Sequence, residues 1–330
     1  MKIAVIGASH WHVPLYEPGF IKAGVEVAAT WDESPEAAAA LAQRHGGMAY
    51  KSLDDLLAAD LDLAFVFGPP AKAPELALAV IKRGLPMCLE KPCAKTAADI
   101  AKVRQAAETA GTYVSVPLVQ RVAAIGKILT AEAARDPAID VSFRFIAGPP
   151  ERYDRVGCGW ALDPELGGGG PIMNLSVHFI DLALTLTGSP AASVFCRTSN
   201  LLHGRAVEDR GMISIQHRNG ALSSIDVGYR YPDMAPKREF SITMIGRGGS
   251  YLQSEPEGLV VRAPGAAPER LPVSYDSDDY YVDYVVQTVD DLRGKRQPIA
   301  GLADIHSALR IIDAAYESSR RGAAVLLDFG

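Results

Sequence analysis

Residues 2–14 read KIAVIGASHWHVP. The first five are a short apolar run rich in β-branched side chains, and Gly7 ends it. Such a run reads as a buried parallel strand feeding a tight turn. In the dinucleotide fingerprint GxGxxG the first glycine makes that turn. The second lets the backbone approach a pyrophosphate, and the third lets the following helix pack close to the strand. Only Gly7 is present here; Ser9 and His12 stand at the other two positions. Pro14 has no N–H to donate and therefore fits only the first turn of a helix. That places the helix start near Trp11 to Val13 and lengthens the turn. In this reading the Ser9 and His10 N–H groups, with the Ser9 hydroxyl, meet a pyrophosphate, and His10 lies close to the cofactor. His10 and His12, one residue apart at a strand end, also open a second reading as a metal pair.

Working outward, the segment 25–32, VEVAATWD, is a second strand that ends at Asp32, 20 residues after His12. An acidic side chain there accepts hydrogen bonds from the adenosine ribose hydroxyls and repels a 2′-phosphate. Glu33 adds to the repulsion. SPEAAAALAQRHG (34–46) is a helix with Ser34 as N-cap, Pro35 in its first turn and Gly46 after its end. Strands at LDLAFVFG, PMCLEKP and TYVSVPL alternate with helices at APELALAVIKRG and TAADIAKVRQAAETAG. This alternation predicts a doubly wound α/β domain with a parallel sheet over residues 1–120. Lys91 follows the fourth of these strands at the end where ligands bind in such sheets. Pro92 restricts its backbone to extended conformations, which aims the side chain.

The texture changes beyond residue 120. RVAAIGKILTAEAA (121–134) is helical, and ELGGGGP leads into a long helix, IMNLSVHFIDLALTLTG (172–188). On that helix Asn174, His178 and Asp181 share one face at spacings of four and three. Histidine suits general-base work near neutral pH, so His178 is the candidate base. From about residue 191 short runs with period-two alternation follow one another, which predicts one antiparallel sheet. Two helices close the chain. The expected second domain is α+β, residues 121–330, with an open and mainly antiparallel sheet.

Composition narrows the function classes. The 330 residues carry a formal net charge of -6 and no basic run, which argues against nucleic acid as a partner. Four cysteines form no CxxC pair, so a zinc ribbon or disulfide framework is not expected and the thiols read as free in a reducing compartment. No apolar run reaches the roughly 18 residues a membrane helix needs. The N-terminus runs straight into a strand, without a signal peptide. A cytoplasmic protein with no membrane partner is expected. A metal site at His10 and His12 would need further ligands from later strand ends. His45 and His306 fall in helical stretches and His203 in a loop, so no metal is expected.

These pieces together resemble the glucose–fructose oxidoreductase and inositol dehydrogenase (Gfo/Idh/MocA) family. The resemblance is carried by FGPPAKAPELALAVIKRGLPMCLEKP (67–92), by WALDPELGGGGPIMNLSVHFIDLALTLTG (160–188) and by the closing helices from YYVDYVVQTVDD onward. It implies an NAD-dependent oxidoreductase, with NADP less favoured, that exchanges hydride with a secondary alcohol or ketone of a sugar, cyclitol or related polyol. It implies Lys91 and His178 as catalytic residues, with Asn174 where the family often has Asp. Gly68, Pro69, Pro70, Glu90 and Pro92 become cofactor-binding positions beside Gly7, Ser9, His10 and Asp32. Gln120, Arg121, Arg155 and Trp160 become substrate positions. Asp181 either supplies charge near His178 or is a structural helix residue. A small polyhydroxylated substrate and a homodimer or homotetramer are the expected partners. Two alternatives stay open: a non-catalytic sugar- or nucleotide-binding relative of the same fold, and a metal-dependent hydrolase using His10 and His12.

Overall fold

The computed structural model describes residues 1–232, 238–275 and 278–328. Contacts divide the chain into two compact units. The first takes in Met1–Val119, Tyr153–Gly168 and Asp278–His306; the second takes in Gln120–Arg152, Gly169–Ser277 and Ser307–Gly330.

The first unit is built on a parallel sheet of β1 (Lys2–Ile6), β2 (Glu26–Trp31), β3 (Met48–Ala49), β4 (Leu63–Val66), β5 (Met87–Leu89) and β6 (Val114–Ser115), in the order β3-β2-β1-β4-β5-β6. Ile3, Ala4, Val5 and Ile6 of β1 are fully buried, as an unbroken apolar run in a sheet covered on both faces must be. Between the strands run α1 (Val13–Lys22), α2 (Pro35–His45), α3 (Leu53–Leu57), α4 (Ala73–Lys82) and α5 (Ala97–Ala110). α1 starts at Val13 with Pro14 in its first turn, where the missing N–H led it to be expected. Ser34 caps α2 by accepting from the Ala37 N–H, and Gly46 closes it at φ 73°. The late segment Tyr280–Arg293 also belongs to this unit, although the sequence reading had assigned it to the second domain's closing helices. It lies against α1, with the Tyr16 and Tyr281 rings 5.1 Å apart. Its Tyr284 hydroxyl meets Ser115 Oγ at 2.6 Å and Cys88 Sγ at 3.3 Å. The Val116 N–H donates to the Ala300 carbonyl.

The second unit opens with α6 (Ala124–Arg135) and β7 (Ala138–Ile146). β7 is absent from the strands expected from about residue 191 onward, yet it sits at the middle of the sheet. Its alternation was readable in AIDVSFRFI, where Val141, Phe143 and Phe145 are buried on one face. The chain then passes through the first unit in α7 (Glu151–Arg155, from Tyr153 on) and α8 (Pro164–Gly167), and returns to the second unit in α9 (Val177–Thr187). The remaining strands are β8 (Ala191–Ser199), β9 (Arg210–His217), β10 (Leu222–Gly228), β11 (Glu239–Gly246), β12 (Tyr251–Glu255), β13 (Gly258–Arg262), β14 (Glu269–Leu271) and β15 (Val325–Leu326). The sheet order is β14-β13-β12-β11-β7-β10-β9-β8-β15. All pairs are antiparallel except β7 with β10, which run parallel with Phe143 opposite Ile225. The sheet is therefore mixed, because β10 enters beside a strand formed much earlier in the chain and not by a hairpin. One face takes α9, whose Phe179 ring lies 5.3 Å from Phe143 and 5.6 Å from Phe145. No helix among the described residues is long and apolar enough to cross a membrane.

Candidate active site

The sheet order of the first unit reverses between β1 and β4, and open α/β sheets bind ligands at that point, outside the strand carboxyl ends. A cleft of about 410 Å³ lies there. Gly7, Ser9 and His10 enter it from the turn after β1, and Trp31, Asp32 and Glu33 from the end of β2. Phe67, Gly68 and Pro69 enter it after β4, while Lys72 and Trp160 complete its rim. Gly7 has φ 86°, and a Cβ built on it would stand 2.3 Å from the Phe67 carbonyl oxygen. The first fingerprint glycine is thus required by the closeness of β1 and β4. Trp160, expected on the substrate, lines this cleft instead and lies 5.5 Å from the His10 ring.

The turn differs from the expectation in how it uses its amides. The Ser9 N–H donates to Asp32 Oδ2 at 2.7 Å, and the His10 N–H donates to the Gly7 carbonyl. Neither amide points to a ligand in this state, because Asp32 pulls the turn toward the end of β2. The other carboxylate oxygen of Asp32 accepts from the Ser34 N–H at 2.7 Å. Glu33 is bridged by Lys72 Nζ at 2.6 and 2.7 Å. Negative charge is therefore held at the end of β2, where an adenosine ribose binds in this class of fold.

Below the turn lies a polar cluster. Glu90 is 3 % exposed and accepts from Tyr16 Oη at 2.5 Å and from the Lys91 N–H at 3.1 Å; His12 Nδ1 lies 3.1 Å from its Oε1. Burial pushes the Glu90 carboxyl above the ordinary carboxylate range, against the pull of His10, Lys91 and Tyr16. Glu90 was expected to meet cofactor. In this structure it is buried and anchors the start of the segment that carries Lys91. Pro70 and Pro92 are likewise buried, outside the residues that line the cleft. The Lys91–Pro92 peptide is cis. Of the two histidines weighed as a metal pair, His10 accepts the His12 N–H at Nδ1, 3.1 Å away, and His12 faces Glu90. Among the described residues no group of three or more His, Cys, Asp or Glu side chains is arranged for a metal ion.

In the second unit the expected long helix is not uniform. Ile172–Ser176 forms a π-helical turn, and the α-helix proper starts at Val177. His178 is buried in the first turn of α9. Asn174 lies in the wide turn, and its amide donates to Tyr229 Oη at 2.9 Å. Asp181 and Arg121, both expected near substrate, bind each other: the guanidinium donates to the carboxylate at 2.8 and 2.6 Å, with the Asp181 side chain 2 % exposed. Of the two roles weighed for Asp181, the structural one fits this geometry. Gln120 is buried in the second unit, and Arg155 is exposed on the first.

Glu208 escaped the sequence reading altogether. Its carboxylate accepts from the Gly170 N–H at 3.1 Å, the Ile172 N–H at 3.0 Å and Tyr316 Oη at 2.9 Å. It thereby caps the π-helical turn that leads to His178. A Cβ on Gly169 would stand 1.9 Å from Tyr316 Oη, so the glycine run admits the residue that completes the cap. Burial raises the Glu208 carboxyl, opposed by these same hydrogen bonds.

Comparison with known proteins agrees with this construction. Residues 1–118 match the family model described as oxidoreductase family, NAD-binding Rossmann fold, and residues 123–252 match the GFO/IDH/MocA C-terminal domain. The chain belongs to the Gfo/Idh/MocA family. A 1,5-anhydro-D-fructose reductase of Ensifer adhaerens is 26 % identical over 312 residues, covering 90 % of this chain and 91 % of the relative. A D-xylose 1-dehydrogenase (NADP(+)) of Haloferax volcanii is 26 % identical over 348 residues, covering 99 % of this chain and all of the relative. A levoglucosan dehydrogenase solved with NADH and levoglucosan shares the fold, with a TM-score of 0.85, 16 % identity and 99 % of each chain covered. This Gfo/Idh/MocA chain is thus an oxidoreductase with an NAD-binding Rossmann fold, and the cleft above is where that fold takes its dinucleotide. The site suits such a group: an acidic strand end, a glycine at the turn and apolar walls from Phe67 and Trp160. The family thereby replaces the metal-dependent hydrolase reading.

Proposed function

We propose that the chain is an NAD-dependent dehydrogenase or reductase that moves hydride between nicotinamide and the secondary alcohol or ketone of a sugar, cyclitol or related polyol. The observation that carries this reading is the cleft at the switch point of the sheet, with Asp32 at the end of β2 among its lining residues. The nature of the two curated relatives, a sugar reductase and a sugar dehydrogenase, supports the substrate class. Gly7, Ser9, His10, Asp32, Gly68 and Pro69 hold the dinucleotide, and Glu90, Pro70 and Pro92 hold the backbone around Lys91. When bound, the nicotinamide accepts or returns the hydride.

The chain's own work is on the proton and on charge. An alkoxide is costly in an apolar site, so the hydroxyl proton must leave to a base as the carbon–hydrogen bond breaks. His178 takes that proton. Lys91 donates a hydrogen bond to the substrate oxygen and stabilises its developing negative charge. Asn174 and the Arg121–Asp181 pair position the helix that carries His178. NAD is preferred over NADP because a 2′-phosphate would meet the carboxylates of Asp32 and Glu33. Residues 1–120, joined by Tyr153–Gly168 and Asp278–His306, supply dinucleotide binding, and the rest of 121–330 the substrate side. The outer sheet face, with Met212 51 % and Leu222 49 % exposed, is covered in a homodimer or homotetramer.

A panel of sugars, cyclitols and polyols offered with NAD and with NADP, read at the absorbance of the reduced nicotinamide, tests the proposal. Turnover of at least one polyol with NAD supports it. A chain that binds dinucleotide but neither oxidises any alcohol of the panel with the oxidised cofactor nor reduces any matching ketone with the reduced one rules it out.

A further inference from the structure

The turn after β1 holds a polar atom to which the fold gives no protein hydrogen bond among the described residues: Nε2 of His10. The His10 residue is 5 % exposed, and it lines the dinucleotide cleft. Its ring is fixed on all sides. It stacks on Trp11 with centroids 4.2 Å apart and an interplanar angle of 20°, and it lies 5.6 Å from Phe67 and 5.5 Å from Trp160.

The tautomer follows from one bond. The His12 N–H can only donate, and it donates to His10 Nδ1 at 3.1 Å. Nδ1 must therefore present its lone pair, and the ring proton sits on Nε2. The ring is neutral. Burial, and the nearby charges of His12 and Lys91, hold its pKa well below the usual histidine value, with the Glu90 charge opposing them. At the same time four of the amides in this turn are engaged inside the protein: Gly7 with Trp31, Ser9 with Asp32, His10 with Gly7 and His12 with the His10 ring.

A dinucleotide in this fold lays its diphosphate on the first strand–helix turn, at the start of the first helix. We propose that the His10 Nε2–H is the donor this turn offers to the diphosphate, in place of the backbone amides used by a glycine-rich fingerprint. The proposal rests on the dinucleotide-binding reading above and deepens it. The donor is uncharged, fixed by ring stacking and oriented by a backbone amide. It selects a diphosphate by direction, without long-range charge, and His10 adds no pH dependence to binding near neutrality.

The test is binding, not turnover. NADH, ADP-ribose and adenosine are titrated calorimetrically into the wild-type chain and into His10→Ala and His10→Gln. Loss of one hydrogen bond to a charged acceptor predicts NADH and ADP-ribose each bound about ten- to a hundredfold more weakly by His10→Ala. Adenosine, which has no phosphate, is unaffected. Glutamine places an amide N–H near the position of Nε2 and restores most of the loss. ADP-ribose bound equally well by His10→Ala, or a loss seen with NADH alone, overturns the proposal. Wild-type chain that binds neither NADH nor ADP-ribose refutes the dinucleotide reading itself, a different result. Nitrogen-15 long-range spectra of the wild-type chain give a check that needs no variant. A protonated Nε2 whose signal moves when ADP-ribose is added is expected; a protonated Nδ1, or an unmoved Nε2, overturns the assignment.

Discussion

Removing the Glu208 carboxylate is the perturbation with the most direct consequence for the His178 helix. In Glu208→Ala three donors lose their acceptor at once: the Gly170 and Ile172 N–H groups and the Tyr316 hydroxyl. A buried donor left unsatisfied costs about 1–3 kcal/mol. Part of that is returned, because the wild-type chain already bears the cost of a buried carboxylate. A net loss of about 3–5 kcal/mol is expected. For a folding unit of this size it lowers the unfolding midpoint by roughly 6–20 °C. Differential scanning calorimetry is the suitable assay, since Trp11, Trp31 and Trp160 all belong to the first unit and fluorescence would follow that unit instead. Glu208→Gln keeps the oxygen that serves Ile172 and Tyr316 and turns an amide toward Gly170, so it loses about one bond. It also separates charge from shape. The folded-state pKa of Glu208 is raised, so the folded protein holds this proton more tightly than the unfolded chain. The wild-type contribution is then fully present below the ordinary value of 4.5 and is lost as pH rises through the raised one. The stability difference between Glu208→Gln and wild type must therefore move in favour of glutamine over that interval. A midpoint drop below about 2 °C for the alanine variant, or a glutamine difference that stays flat from acid to neutral pH, refutes the reasoning.

Three further expectations concern the site. Lys91→Ala lowers turnover about a hundredfold or more, the usual size of an acid–base or oxyanion contribution, while NADH binding measured by fluorescence stays within a fewfold; unaltered turnover removes Lys91 from the chemistry. Asp32→Asn narrows the preference for NAD over NADP by about tenfold or more, read as the ratio of the two dissociation constants, and an unchanged ratio places the discrimination elsewhere. Arg121→Leu leaves Asp181 buried without its bidentate partner and costs about 3–5 kcal/mol in denaturant unfolding, whereas Arg121→Leu combined with Asp181→Leu recovers most of it; equal losses in single and double variants contradict the pairing.

The elements with strong local signals were legible in the sequence. Pro14 in a first helical turn and Ser34–Pro35 before an alanine-rich helix act through nearest neighbours, Gly7 is marked by the β-branched run it ends, and each stands where its chemistry put it. Asp32 at the end of β2 was readable for the same reason. What escaped depends on partners distant in sequence. β7 has a clear alternation, but its parallel pairing with β10 is set across some 80 residues and leaves no mark on either strand alone. Asp181 sits on a helix face that spacing alone assigned to a pocket, and Arg121, 60 positions away, takes its charge. Glu208 lies outside any periodic element, and its value comes from three donors, none of them its sequence neighbour. The amides of Ser9 and His10 were read as free because a sequence does not show that a carboxylate 23 positions on has already claimed the first of them.

The return of Asp278–His306 to the first unit sets an order on biosynthesis. The Ser115 hydroxyl, the Cys88 thiol and the Val116 amide find Tyr284 and Ala300 only after β7 to β14 of the second unit have been translated. On the ribosome the N-terminal α/β segment waits, with the surface that takes Tyr280–Arg293 open to water and to chaperones, while the second unit is being made. A fragment cut near residue 120 lacks the partners that Ser115, Cys88 and Val116 have in the full chain. The dinucleotide-binding half of this enzyme is therefore not a portable module, and grafting it onto another protein requires the late helix to be carried along.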